Sequence, residues 1–342
     1  MKHNQLLSLL GVIALLFGFT LVSCDGSNST TEDVVNTEGD SIVAPAVEYY
    51  DSLILKNPKD ATLYYQRAMY YYEAGFVPAG LADTYSAIHL DSSAVEYYYL
   101  AADLHIEMGD GKNAIGLMSK AINQFPEDEE LYLRATEYNY LMMYYEPALN
   151  FVNDLLEINP YNADAYFLKG LIYKEQGFNE KAMSTFQTCT EQDPTFYNAY
   201  MQLGLLHTDE NSDFAISYFD NALRLLPESR EAMYGKGFFY QKVERYNEAV
   251  AEYRTLIGVY PKDHVSFYNI GYCYLQMDSL EKSYNHFNIA TQIQPQYAGA
   301  YYMKGFVAEQ RGDVQTAIVN YEQAQLMMPD NEDVIDALAR LQ

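Results

Sequence analysis

Six histidines and three cysteines are the side chains here best suited to bind a metal or to act as nucleophile and base. Such chemistry needs clusters, because ligands, or a nucleophile and its base, must meet at one point. His3, His89, His105, His207, His264 and His286 are instead scattered along the chain. There is no H-E-x-x-H, no paired C-x-x-C, no phosphate loop and no G-x-G-x-x-G ahead of a helix. The expectation is therefore a chain that is not an enzyme and has no cofactor and no metal. What the sequence does offer is aromatic surface, with 35 tyrosines and 16 phenylalanines, and tyrosine serves well at interfaces because it joins an apolar ring to a polar tip.

The elements that must position these groups follow a period. Pro58, Pro126, Pro160, Pro194, Pro227, Pro261, Pro295 and Pro329 recur every 34 residues, Ser92 fills the one missing place, and a single interval is 33. A fixed period of this length marks stacked supersecondary units, a solenoid. With Ala163 as position 1 of its unit, position 8 is small almost throughout (Ala68, Ala102, Gly170, Gly204, Gly237, Gly271, Gly305), Thr136 being the exception. Position 24 is mostly large, as in Phe186, Phe219, Tyr253, Phe287 and Tyr321. Positions 4, 8 and 11 share one face of a first helix, and positions 20, 24 and 27 one face of a second. Gly75, Gly109, Gly177 and Gly312 break the chain between the two helices, and the proline stops the second. Cys189 occupies small position 27 and Cys273 lies three units away. Solenoid units touch only their neighbours, so the two are expected to be separate buried thiols.

This pattern resembles the tetratricopeptide repeat, with its aromatic, small, A-x3-F and proline positions. Its leading Trp is replaced by Tyr64, Tyr98, Tyr132, Tyr166, Tyr200, Met233, Phe267 and Tyr301. Eight repeats span 61–331, about four-fifths of the chain. Residues 41–60 read as an N-terminal half-repeat helix and 332–342 as a C-terminal capping helix. The resemblance implies an all-α, right-handed superhelical solenoid of about eight helix pairs that binds protein partners in a concave groove.

Ahead of the repeats, residues 1–23 combine Lys2 with an apolar run that ends Leu21-Val22-Ser23-Cys24. This resembles a bacterial lipoprotein signal peptide, and implies cleavage before Cys24 and its lipidation. Residues 24–40 then read as a flexible acidic tether with a reach of roughly 20–25 Å. The expected location is the cell envelope, held to a membrane by the lipid on Cys24. Asp25 would favour the inner membrane under the enteric sorting rule. The Tyr- and Asn-rich, Arg-poor composition resembles that of Bacteroidota, where the rule is not expected to hold. The expectation is the outer membrane, with its periplasmic or surface face left open.

In the family, positions 2, 5, 9, 12 and 13 of the first helices line the groove. Repeats 2 to 4 place Glu96, Asp103, Glu107, Glu130, Glu137, Asp164 and Glu175 there, with Lys174 as the one opposing charge. Repeats 6 to 8 place Tyr234, Phe238, Tyr268, Tyr272, Leu275, Tyr302 and Phe306 there. The acidic row is either a binding zone or the solvated face of an acidic chain: 21 Lys and Arg stand against 47 Asp and Glu, a net charge of −26. The aromatic row is either a partner site or family consensus. The aromatic residues are the first choice for partner contact, with Asp103, Glu107 and Glu137 second. A basic or apolar protein segment suits the groove, whereas nucleic acid is excluded for want of basic surface. Two functional readings remain open, a scaffold or adaptor lipoprotein and a surface lipoprotein that captures a glycan or peptide. Self-association through the terminal helices is a further expectation.

Overall fold

A computed structural model describes residues 37–341, with side chains from Pro45 onward. Residues 1–36, including the signal-like segment and Cys24, lie outside the described residues. Among the described residues there are eighteen helices and no strand. They are α1 (Thr37–Lys56), α2 (Ala61–Glu73), α3 (Val77–Leu90), α4 (Val95–Glu107), α5 (Gly111–Gln124), α6 (Glu129–Leu141), α7 (Tyr145–Ile158), α8 (Ala163–Glu175) and α9 (Asn179–Gln192). The rest are α10 (Tyr197–Asp209), α11 (Phe214–Leu225), α12 (Arg230–Lys242), α13 (Tyr246–Val259), α14 (His264–Gln276), α15 (Leu280–Ile293), α16 (Ala298–Gln310), α17 (Val314–Met327) and α18 (Glu332–Leu341). Helix α1 begins at Thr37, so the last residues expected in the tether are helical. The described residues form two compact units that divide within α9, between Thr185 and Phe186.

The helix ends follow from the sequence. Asp60, Asp128, Asn162, Ser229, Asp263 and Asn331 each precede a helix and accept a hydrogen bond from one of its first backbone N–H groups, which would otherwise lack a partner. Between paired helices the chain passes through a left-handed residue. Gly75, Gly109, Gly177 and Gly312 take φ of +74 to +79°, and Met143, Asn211, Glu244 and Asp278 take φ of 54–60° in the corresponding turns.

Packing explains why position 8 is small. In the second unit a β-carbon on Gly204 would lie 2.7 Å from the Phe219 ring, on Gly237 2.8 Å from Tyr253, on Gly271 3.0 Å from Phe287 and on Gly305 2.8 Å from Tyr321. The glycine of the first helix is the seat for the position-24 ring of the second, and all four rings are fully buried. The exception, Thr136, pairs with the smaller Val152 and donates its hydroxyl to the Tyr132 carbonyl at 2.7 Å. Tyrosine in place of the leading Trp also has a use. Tyr64, Tyr132 and Tyr166 donate to the carbonyls of Pro58, Pro126 and Pro160 at 3.1–3.2 Å, and Tyr98 donates to that of Ser92 at 3.4 Å. In these four repeats the ring thereby ties the first helix to the turn before it. The last helix closes the second unit: Arg340 reaches back to Glu309, 3.1–3.2 Å, and Val334, Ala337 and Leu338 cover Ala308, Ala317 and Tyr321.

Candidate functional site

The aromatic residues expected at a partner face all lie in the second unit, on α12, α14 and α16. Positions 5 and 9 are one turn apart and therefore share a helix face. Tyr234, Phe238, Tyr268, Tyr272, Leu275, Tyr302 and Phe306 are each half-buried. The Tyr234 and Phe238 rings stack with centroids 6.3 Å apart. Tyr234 leans on Tyr253 at 5.9 Å and receives a hydrogen bond from the Asn269 amide at 3.3 Å. Tyr268 is held between Phe287 and Tyr297, at 5.2 and 5.3 Å, and Tyr302 rests on Tyr321 at 5.6 Å. Burial raises the Tyr234, Tyr268 and Tyr302 phenols above their ordinary values, so they stay neutral donors. These seven side chains carry no charge. Their inner portions are fixed by the core and their remaining surface faces outward, which limits the entropy a partner must take away on contact.

The acidic face of the first unit differs from expectation in two ways. Glu137 does not line an open surface: it is only 1 % exposed. It sits on α6 among Leu133, Thr136 and Tyr138, all buried. Burial pushes its carboxyl up to about 8, with Glu130, Asp103 and Asp164 adding to the rise and Arg134 opposing it. A neutral acid at this depth is not a contact for a basic partner. The other correction concerns Lys174, which is not the sole opposing charge. Arg134, on α6 with Glu137, donates to Asp103 at 2.7 Å and to Glu130 at 2.6 Å, and its guanidinium lies 4.8 Å from the Tyr99 ring centre. Tyr138 also donates to Asp103 at 2.6 Å, and Tyr99 to Asp128 at 2.6 Å. Asp103 is thus a half-buried member of a charge-compensated network. Burial alone would lower the Arg134 pKa, but Asp103, Tyr138 and Glu130 outweigh it and leave the guanidinium firmly charged. Glu107 remains exposed, and with Asp103 it raises the nearby Tyr72 phenol behind the larger effect of burial. The sequence signal for Arg134 was its i,i+4 spacing to Glu130.

The histidines and cysteines pack. His105 is buried, with Nε2 2.7 Å from the Tyr85 hydroxyl and Nδ1 3.4 Å from Asp110. His207 stacks on Tyr218 with centroids 5.1 Å apart, and burial lowers its pKa against the opposing pull of Glu210. Cys189 and Cys273 are both buried and neither forms a disulfide. Burial pushes the Cys273 thiol up to about 12, which removes the thiolate that reactivity needs. Among the described residues no group of His, Cys, Asp and Glu could hold a metal ion, and no helix is long and apolar enough to cross a membrane.

The described residues define an all-α protein of stacked helix pairs. The model of the Tetratricopeptide repeat family matches residues 163–196, 231–263 and 265–297, so these three units are tetratricopeptide repeats. The chain is similar to the TPR repeat-containing protein MJ1428 of Methanocaldococcus jannaschii, 27% identical over 49% of this chain and 31% of that protein. It spans less than a third of the length of such curated relatives. Its fold is similar to the C-terminal part of a TPR repeat-containing protein from Cytophaga hutchinsonii, with a TM-score of 0.62 at 16% identity over 72% of this chain and 99% of that one. A tetratricopeptide repeat protein from Parabacteroides merdae aligns with a TM-score of 0.51 at 18% identity over 73% and 99% of the two chains. Repeats of this kind are typically non-catalytic scaffolds for protein–protein interaction.

Proposed function

We propose that this chain is a non-catalytic adaptor of a bacterial cell envelope, anchored at the outer membrane by a lipid on Cys24, that gathers protein partners through its first helices. The observation that carries the reading is the uncharged aromatic face of α12, α14 and α16, whose rings are braced from behind and half open in front. Partly exposed aromatic surface of this kind favours an apolar protein segment. The anchor rests on the lipobox-like residues Leu21 to Cys24 alone, and is tested by the intact mass of the mature chain: an acylated Cys24 supports it and an unprocessed Met1 terminus refutes it.

The partner face is tested by crosslinking the chain in its native envelope and comparing wild type with the Phe238→Ala, Tyr272→Ala, Phe306→Ala triple variant. Circular dichroism establishes that the variant is folded. Specific proteins recovered with wild type and lost from the variant support the adaptor reading. Identical sets from both refute the aromatic face as the site.

A further inference from the structure

Four repeats carry a cation at position 7: Arg67, Lys169, Lys236 and Lys304. The side chain at this position projects between two second helices, that of its own pair and that of the pair before, and meets residues 16 earlier and 16 later. At Arg67 those residues are Asp51 and Asp83, and both carboxylates bond the guanidinium, Asp83 at 2.6 Å. At Lys236 they are Asp220 and Glu252, at 2.8 and 3.0 Å. Two unrelated acid pairs thus satisfy two largely buried cations by one geometry. Burial lowers the Lys236 pKa, but its two carboxylates outweigh that and raise it.

Lys169 breaks the pattern. Its counterparts are Asn153 and Thr185, both neutral. Its ammonium donates to the Asn153 side-chain Oδ1 at 2.8 Å, and the Thr185 hydroxyl is turned away to the Lys181 backbone carbonyl, 2.7 Å. Burial lowers the Lys169 pKa with no carboxylate to raise it again. Lys304 shares the substitution, with Asn288 and Asn320, but its ammonium lies 5.5 Å from the centre of the Tyr284 ring. Lys169 instead borders a hollow of about 350 Å³ lined also by Tyr173, Glu180, Lys181, Ser184 and Thr185. Two lysines face that hollow against one glutamate, a local reversal of sign in a chain of net charge −26. The Lys181 ammonium stands 5.4 Å from the Tyr173 ring centre.

We propose that the hollow beside Lys169 binds a carboxylate supplied from outside the chain, which takes up the role that Asp83 plays at Arg67 and Glu252 plays at Lys236. A partly buried ammonium is costly without a counter-charge, and a carboxylate is the group that two sister repeats use for it. Lys181 adds a second cation and Tyr173 an aromatic wall for the remainder of the ligand. The site lies between α8 and the start of α9 in the first unit, and shares no residue with the aromatic face of α12, α14 and α16.

The test follows the Lys169 and Lys181 side-chain signals by NMR on the full chain labelled with 13C-lysine. The probes are sodium acetate, the capped peptide acetyl-Gly-Glu-Gly-amide and inorganic phosphate. A saturable shift of both signals at millimolar acetate or peptide is expected. Response to both carboxylates means that a small organic acid suffices, and response to the peptide alone means that an acidic side chain of a partner is the occupant. Thr185→Asp supplies the sister carboxylate internally. It should raise the titration point of Lys169 and weaken the response at least tenfold, while Thr185→Ser should bind as wild type. In Lys169→Gln the Lys181 response should also need at least tenfold more ligand. Shifts that do not saturate, or binding unchanged in Thr185→Asp and Lys169→Gln, would overturn the proposal. Phosphate acting at lower concentration than either carboxylate would overturn the assigned ligand class.

Discussion

Replacing Glu137 by Gln should stabilise the first unit, and the gain should grow with pH. The side chain is 1 % exposed and its carboxyl is raised from an ordinary 4.5 to about 8, first by burial and then by Glu130, Asp103 and Asp164. Below pH 4.5 the acid is neutral in both folded and unfolded chains and costs nothing. Between 4.5 and about 8 the folded state keeps a proton that the unfolded state releases, so stability falls as pH rises, and above about 8 the loss is complete. At 1.36 kcal/mol per pH unit the whole interval amounts to about 3–5 kcal/mol. Glutamine matches the shape of the neutral acid and does not titrate. The difference between variant and wild type should therefore be near zero at about pH 4.5 and reach most of that amount at about pH 9. Because a repeat array can lose one part before another, urea unfolding should be paired with amide exchange in α6. Parallel pH profiles for the two proteins would refute the buried neutral acid, as would a variant destabilised at every pH.

Three further outcomes follow from the packing. Gly237→Ala would put a β-carbon 2.8 Å from the fully buried Tyr253 ring, and should cost about 1–3 kcal/mol in denaturant unfolding; a neutral effect would refute the ring-on-glycine account of position 8. His207 is buried with a lowered pKa, so its contribution is present above an ordinary pKa of about 6.5 and lost as pH falls through the folded value. His207→Phe should flatten the loss of thermal stability between about pH 7 and 5, and an unchanged slope would show that the ring does not titrate in folding. Met143 holds φ 59° and is 73 % exposed. Met143→Gly relieves the left-handed strain and should stabilise by up to about 1 kcal/mol, measured as a shift in the denaturation midpoint.

What could be read from the sequence was whatever recurs within one repeat. Period and residue size marked position 8 as small and position 24 as large and put both on inward faces of one helix pair, but that the ring sits on the glycine, Gly237 under Tyr253 or Gly305 under Tyr321, is seen only in the packing. The replacement of Trp by Tyr was legible as a ring, but not as a hydroxyl aimed at the carbonyl six residues back, because that bond depends on the turn geometry. Contacts between repeats were harder to read. Asp103 and Arg134 are 31 residues apart and meet only because α4 and α6 are neighbouring first helices. Counting charges along a helix face therefore found an acidic row where the fold builds a compensated network. Glu137 failed for a related reason: a consensus groove position says which way a side chain starts, not how closely the next helix covers it. The same logic governs Lys169. Its sequence neighbours are unremarkable, and its missing counter-charge appears only once Arg67 and Lys236 show which residues belong around position 7. A repeat protein thus carries its own controls: where two sister copies satisfy a cation with internal carboxylates, a copy that lacks them beside an open hollow is where an outside group has something to offer.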